Sequence, residues 1–272
     1  MMRSLWTGAT GMIAQETSVD TIANNLANVN TTGYKSEETE FKSLLYQTLQ
    51  TKTTSANGEE KPISAQVGLG TRVASNTSVF TQGALTETEN DSAFAIEGNG
   101  LFAVRGADGE TYYTRNGNFQ WSTEGTNVVL CTQEGYKVLD SNGNAITLPA
   151  TVSSESVTFD SNSGDFGYTD AAGTYHALNQ KIGVYQFRNP AGLEKMSNSL
   201  LATTDASGAA MSEYTNNNLT KSKVMKNYLE SSNVQLAQEM VDLIVAQRAY
   251  EMNSKVITTS DDMLSQANQL KR

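Results

Sequence analysis

The sequence predicts an α+β protein, with N- and C-terminal helices forming a coiled-coil-like helical domain and an all-β central domain. All three prolines and 18 of the 21 glycines lie between residues 37 and 219, so both ends are poor in helix-breaking residues. Apolar residues recur with helical spacing at both ends, whereas short β-like runs fill the centre. We expect an N-terminal helical segment over 1–45 that pairs with the C-terminal helix, an extended arm or linker over 46–75, a central β domain over 76–224 and a C-terminal helix over 225–272.

The N-terminal segment carries a narrow apolar stripe at alternating steps of three and four residues. Seven of eight such positions are apolar, and Glu16 is the exception. A stripe this narrow is typical of coiled coils. Gly33 is suited to a left-handed cap after it, and a second short amphipathic piece is expected over 41–49. The stripe consists of Met2, Leu5, Ala9, Met12, Val19, Ala23 and Leu26.

The C-terminal segment has two apolar series that each repeat every seven residues. Together they predict a helix of roughly 35–40 residues, for which Ser231, Ser232 or Asn233 is the expected N-cap. The first series is Leu236, Leu243, Tyr250, Ile257 and Leu264, and the second is Ala249, Val256, Met263 and Leu270.

Six apolar runs punctuated by glycine predict strands in the centre. Asp108-Gly109, Asn116-Gly117 and Asn142-Gly143 are good turn dipeptides between such runs. Residues 50–66 are polar and are expected to form a linker or an extended arm. The predicted strands are 93–96, 101–104, 111–114, 127–130, 145–148 and 182–187.

Composition excludes several functional classes. The net charge is -10 and the acidic groups concentrate in the centre, which argues against nucleic acid as a partner. One cysteine, Cys131, and one histidine, His176, leave no disulfide and no His-rich metal site. We therefore predict no catalytic residue, cofactor or metal, and expect Cys131 in a strand and His176 at the surface or in a turn. The sequence contains no run of 18 apolar residues, so we predict no helix that inserts into a membrane. The N-terminus is too polar for a cleaved signal peptide.

A helix with one apolar stripe must bury that stripe. The N-terminal stripe is expected to pair with the C-terminal one, and the apolar surface left over favours association with other copies. Identical chains that join head to tail form an open helical polymer unless the rotation closes a ring. From these residues alone, a helical bundle packed on the β domain within a monomer is equally open.

Four segments resemble motifs of the bacterial flagellar basal-body rod and hook protein family. Residues 23–35 resemble its N-terminal motif, residues 228–255 its C-terminal motif, and residues 94–102 and 113–119 its central motifs. The opening Arg3-Ser4-Leu5-Trp6, and residues 44–48 with the polar arm up to Thr71, are most similar to members from the distal rod. The likeness covers both ends and part of the centre, whereas residues 149–215 match poorly.

The resemblance implies a structural, non-enzymatic subunit of the flagellar distal rod. Copies would assemble into a hollow helical tube that transmits torque to the hook and passes exported subunits. The implied partners are further copies, other rod and hook subunits and the flagellar export apparatus, and the implied location is the basal body, reached without a cleaved signal peptide. Expected subunit-packing residues are Leu5, Met12, Val19, Asn24, Asn25, Leu26, Asn28, Leu236, Leu243, Tyr250, Ile257 and Leu264; amides among them would set register.

Three alternatives stay open at this point. The chain could be a proximal rod subunit or a hook-type protein of the same family. It could be an export-associated binding protein that does not polymerise. It could also be an adhesin or hydrolase with a cleft of aligned aromatic residues, formed by Tyr112, Tyr113, Phe119 and Trp121.

Overall fold

The computed structural model describes residues 2–50, 65–125, 127–149, 152, 156–161, 164–169, 174–216 and 218–270. The chain divides into a helical unit (Met1–Ala27, Glu37–Ser78 and Gln235–Arg272) and a β unit (Asn28–Ser36 and Val79–Val234). The helical unit therefore draws on both ends of the chain. The predicted α+β class is confirmed, with a helix at each end and strands between them.

Two long helices dominate the helical unit. Helix α1 spans Met2–Ala27 and helix α2 spans Leu236–Gln269. Helix α2 has 34 residues, close to the length that its heptad spacing predicts.

Four strands complete the helical unit: β1 (Glu37–Ser43), β2 (Tyr46–Gln50), β3 (Ala65–Gly68) and β4 (Thr71–Ser78). Strand β1 pairs antiparallel with β4, and β2 with β3. Strands thus replace the helical continuation and the second amphipathic piece expected before residue 50. Glu37 and Thr39 lie on the same face of β1 and are both half-buried. On this face the Thr39 hydroxyl donates to the Thr21 hydroxyl of α1 at 2.9 Å. Residues 51–64 of the expected arm lie outside the described residues.

The expected N-cap of helix α2 is wrong. The helix begins at Leu236, and its N-cap residue Gln235 makes no side-chain capping hydrogen bond. Asn233 is occupied elsewhere, because its side-chain oxygen accepts from the Ser36 amide at 2.7 Å and its Nδ2 donates to the Val79 carbonyl at 2.9 Å.

Gly33 is left-handed as expected, but it does not cap helix α1, which ends at Ala27. Its φ is +69°, and a Cβ there would lie 2.6 Å from the amide nitrogen of Asn116. Close approach of two backbone segments within the β unit, and not a helix end, is what requires glycine here.

The β unit is built from antiparallel strands. A ten-stranded sheet runs in the order β12-β10-β11-β7-β8-β18-β17, with β9 on β10, β16 on β7 and β19 on β16. A three-stranded sheet β13-β14-β15 and the pairs β6-β20 and β5-β21 complete it. The strands are β5 (Leu85–Glu87), β6 (Phe94–Glu97), β7 (Leu101–Arg105), β8 (Thr111–Thr114), β9 (Phe119–Glu124), β10 (Asn127–Thr132), β11 (Lys137–Val138), β12 (Thr147–Pro149), β13 (Val157–Phe159), β14 (Asp165–Thr169), β15 (Tyr175–Lys181), β16 (Val184–Gln186), β17 (Glu194–Lys195), β18 (Leu201–Ala202), β19 (Met211–Ser212), β20 (Lys223–Lys226) and β21 (Tyr228–Glu230).

Each of the six predicted runs contains a strand, which confirms that part of the prediction. Two of the predicted turns are confirmed in detail. Gly109, between β7 and β8, has φ +86°, and Gly143, between β11 and β12, has φ +84°. Both values lie in the left-handed region that glycine adopts without a steric penalty.

Aromatic residues fill the core of the β unit. Phe94, Phe102, Phe119 and Phe166 are fully buried, and the Phe102 and Phe119 rings meet edge to face at 5.2 Å. Phe119 and Tyr113 are both buried, so these aromatic residues do not line an open cleft. The alternative of an adhesin or hydrolase with an aromatic cleft therefore lacks the surface that it requires.

The single cysteine and histidine lie in ordinary positions. Cys131 is buried in β10, as predicted, and burial raises the pKa of its thiol. His176 is exposed, as predicted, although it lies in β15 and not in a turn; its ring stacks on Tyr168 at 5.2 Å.

Glu230, at the end of β21, is a buried carboxylate between two buried cations. Lys35 Nζ lies 2.7 Å from one carboxylate oxygen, and Arg115 Nε donates to the other. The Gly83 amide also donates to this carboxylate, at 2.8 Å. Burial lowers the pKa of Lys35, and the hydrogen bond to Glu230 opposes that shift.

Both cations also donate to main-chain carbonyls. Lys35 donates to Thr81 at 2.7 Å, and Arg115 donates to Ile96 at 2.7 Å and to Gly100. The three charged side chains of this buried ionic cluster are thus satisfied within the β unit, which is the condition for burying charge at a tolerable cost.

Glu230→Gln should lower the free energy of unfolding of the β unit by about 3–5 kcal/mol, because it leaves two buried cations without a counter-charge. Denaturant unfolding followed by Trp121 fluorescence in a Trp6→Phe background would measure the change. Glu97→Gln, at an exposed glutamate of β6, is the control and should stay within about 0.5 kcal/mol. A loss below about 1 kcal/mol for Glu230→Gln would contradict the assigned role of the cluster.

Candidate assembly interface

Polar contacts at both ends of helix α1 show that α1 and α2 run antiparallel. The hydroxyls of Ser4 and Ser260 lie 3.1 Å apart near the start of α1. Near its end, Asn25 Nδ2 donates to a carboxylate oxygen of Glu239 at 3.1 Å.

Two glycines let the helices approach closely between these contacts. A Cβ on Gly8 would lie 3.0 Å from Ile257 Cγ1, and a Cβ on Gly11 would lie 2.8 Å from Asn253 Nδ2. Neither glycine has a positive φ, so close packing and not backbone conformation requires them.

We call the contact between the helices the seam. It combines small and polar residues with Ile257 of the first apolar series of α2. The seam brings Ser4, Gly8, Gly11 and Asn25 of α1 against Ser260, Ile257, Asn253 and Glu239 of α2.

The apolar stripe predicted for α1 lies beside the seam and not in it. Leu5, Met12, Val19 and Leu26 are half-buried, whereas the glycine and serine positions one residue away make the close contact. Helix α1 contacts both α2 and the β1–β4 pair, and small or polar residues serve both contacts. The larger apolar side chains are consequently left toward the remaining side.

The other predicted packing residues are distributed unevenly. In α2, Leu243, Ile257 and Leu264 are half-buried, whereas Leu236 and Tyr250 are exposed. Among the amides, Asn25 is buried, Asn24 is exposed, and Asn28 is half-buried in the β unit. Packing between subunits by these residues stays a prediction.

Asn25 joins three elements of the helical unit. Its Nδ2 donates to the Glu37 carbonyl at 2.9 Å and to Glu239, while its Oδ1 accepts from the Glu37 amide at 2.9 Å. A buried amide with this many partners fixes the register of α1 against α2 and β1 within one chain.

Glu239 is the acidic member of the seam. Burial raises the pKa of its carboxyl, and the nearby Asp242 and Glu38 raise it further, while the hydrogen bond from Asn25 opposes the shift. The ionised form is therefore disfavoured in the folded helix pair relative to a free glutamate.

The helix pair carries an acidic groove and an exposed methionine face. The acidic groove, of about 350 Å³, lies between α1 and α2 and is lined by Glu16, Val19, Asp20, Gln247, Tyr250 and Glu251. The methionine face is an exposed stretch of α2, of which Met252 is the most exposed at 65%; it consists of Val245, Met252, Val256 and Met263, with Lys255 beside them.

Neither helix of the described residues is long and apolar enough to cross a membrane. Within the same residues, no group of three or more His, Cys, Asp or Glu is placed to hold a metal ion.

The hydrophobic pattern of the sequence does not predict the glycines of the seam or the buried ionic cluster. Ser4, Gly8 and Gly11 repeat at steps of four and three, as the apolar stripe does, but their small side chains give no hydrophobic signal. Lys35 and Glu230 lie in segments with the composition of loops, which carry no periodic signal of burial.

Three segments of the chain match models of known protein families. Residues 5–35 match the flagella basal body rod protein family, residues 95–169 the flagellar hook protein FlgE/F/G D1 domain, and residues 225–270 the flagellar basal body rod FlgEFG protein C-terminal family.

The chain is also similar, over almost its full length, to flagellar basal-body proteins of several bacteria. The chain is 42% identical, over all of both chains, to the flagellar basal-body rod protein FlgG of Borreliella burgdorferi. It is 41% identical, over 97% of both chains, to FlgG of Agrobacterium fabrum. It is 31% identical, over all of both chains, to the flagellar hook-basal body complex protein FlhP of Bacillus subtilis.

Gly11→Leu should separate the helix pair locally, because a side chain there meets Asn253. Overpacking of this kind costs about 1–3 kcal/mol. Hydrogen exchange of the α1 and α2 amides in dilute protein should show faster exchange on both helices. Ala23→Leu, at an exposed position of α1, is the matched control, and equal exchange in the two variants would contradict the seam.

Glu239→Gln should stabilise the helical unit at neutral pH. The pKa of Glu239 is raised in the folded state, so its ionised form costs stability at pH 7, and that cost disappears as the pH falls through the folded pKa. Glutamine keeps an oxygen that accepts from Asn25. Thermal unfolding should give a higher Tm for the variant at pH 7 and a shrinking difference at lower pH, with Glu16→Gln as the exposed control. A variant that is less stable at pH 7 would show that the Asn25 bond to the charged form outweighs burial.

Proposed function

The chain belongs to the bacterial flagellar basal-body rod protein family, and from this premise we propose that it is a structural subunit of the distal rod. Copies polymerise through their helix pairs into a hollow helical tube. The tube transmits torque to the hook and leaves a channel for exported subunits. Other rod and hook subunits are its neighbours, and the flagellar export apparatus delivers it without a cleaved signal.

Exposed apolar surface on helix α2 is the observation that carries this proposal. Met240, Ile244 and Val245 are all more than half exposed, and the methionine face continues the surface along the helix. Apolar surface removed from water contributes about 25 cal/mol per Å², so a long helix face of this kind favours contact with further helices.

The heptad spacing of α2 supports packing of a coiled-coil kind in the polymer. Its seam series already contacts α1, and the neighbouring series Ala249, Val256 and Met263 repeats with the same period on an adjacent side. Two series on one helix allow it to contact two other helices at once, as in bundles of more than two helices.

Immunogold electron microscopy of purified hook–basal bodies, with an antibody raised to residues 91–215, tests the assignment. We expect label confined to the rod segment just below the hook. Label nearer the membrane would assign the chain to the proximal rod, and label on the hook would make it a hook-type protein.

A second candidate within the same family is another hook–basal body component, because FlhP is 31% identical over the full chain. Label elsewhere on the organelle would favour it. A complete lack of label, together with a monomer at high concentration, would instead favour an export-associated binding protein.

A further inference from the structure

We infer that successive copies join head to tail, with the methionine face of one copy packed against the acidic groove of the next. This inference rests on the proposed polymerisation and adds the two surfaces that meet and the charges that select them. Both surfaces lie within the helical unit.

The acidic groove has an apolar floor and a negative rim. Val19 and Tyr250 form the floor, and Glu16, Asp20 and Glu251 surround it. Glu251 has an exposed ion pair with Arg248 at 2.8 Å. Within the described part of the chain, Glu16 and Asp20 have no ion-pair partner, so the rim keeps a net negative charge that an incoming surface can neutralise.

The methionine face has the complementary character. Met252, Val256 and Met263 line a shallow, wide-open apolar surface, and Lys255 lies among them with no ion pair in the described residues. Methionine side chains adapt their shape to a partner surface, and a lysine at the edge of such a surface can reach a carboxylate rim.

The two surfaces lie on different sides of one helix. At about 100° per residue, Gln247, Tyr250 and Glu251 lie roughly half a turn around α2 from Met252, Val256 and Met263. One copy can therefore offer its groove to one neighbour and its methionine face to another at the same time. A contact between two different surfaces is heterologous, and repeating it gives an open helical array unless the rotation closes a ring.

Charge disfavours the two-fold alternatives. Groove against groove would bring Glu16 and Asp20 toward the same residues of the second copy. Methionine face against methionine face would bring Lys255 toward Lys255. Like charges across an interface cost free energy, whereas the head-to-tail contact pairs opposite charges.

Charge exchange in the full-length chain tests the contact. Lys255→Glu changes the methionine face, Glu16→Lys/Asp20→Lys changes the groove, and the triple variant carries all three changes. Lys42→Glu, at an exposed position of β1, is the control for a charge change alone. The critical concentration for polymer formation is measured by sedimentation and electron microscopy, and circular dichroism checks that each variant is folded.

We expect the critical concentration to rise at least about tenfold for Lys255→Glu and for Glu16→Lys/Asp20→Lys when each is alone. The triple variant should return close to wild type. An equal mixture of the two separate variants should also assemble, because each presents the surface that the other requires, and the copies would alternate. Lys42→Glu should assemble like wild type.

The outcomes separate this contact from the proposed function. If wild type polymerises but the charge variants do so equally well, the head-to-tail contact is wrong and the proposed function stands. The contact is also wrong if neither the triple variant nor the mixture recovers assembly while every variant is folded. If wild type forms no polymer even on purified rods, the proposed function fails and this inference fails with it.

Discussion

The buried carboxylate of Glu230 is the interaction on which the order of the β unit depends. It accepts from Lys35, Arg115 and the Gly83 amide, and it lies almost entirely out of water. A buried ion of this kind is tolerated only when every partner is in place. Because Lys35 precedes the strands of the β unit and Glu230 ends the last of them, the cluster ties the segments before and after those strands together.

The cluster also explains why distant motifs occur in one chain. Residues 28–36 supply Lys35, and the bend after β8 supplies Arg115. Strand β6 supplies the Ile96 carbonyl, and residues 228–234 supply Glu230. The Gly33 amide donates to the Glu230 carbonyl at 2.8 Å, so main chain and side chains tie the same two segments together. The β unit thereby holds the two segments that lead to the helices side by side.

Both helices, their pairing and the main strands of the β unit could be predicted from the sequence, whereas strands β1 and β2 and the residues that make the contacts could not. The heptads of α2 repeat large apolar side chains at a fixed spacing, and the apolar runs of the β unit bury such side chains, so both give a strong signal. The seam uses glycine and serine, and α1 has two different neighbours, so its most apolar stripe is not its most buried one. The predicted N-cap at Asn233 was wrong for a related reason. Its side chain bonds to Ser36 and Val79 of the β unit, which are distant in the sequence and come near it only in the fold.

The placement of the acidic groove and the methionine face has a consequence for the ends of an assembly. A stack of copies joined through these surfaces is polar: one terminus displays an apolar hollow with a carboxylate rim, and the other displays methionine and valine side chains beside a lysine. Proteins that begin the stack and proteins that continue beyond it must therefore differ in chemistry, one cationic and apolar, the other acidic and grooved. A single chain can in this way encode which of its neighbours stands below it and which stands above.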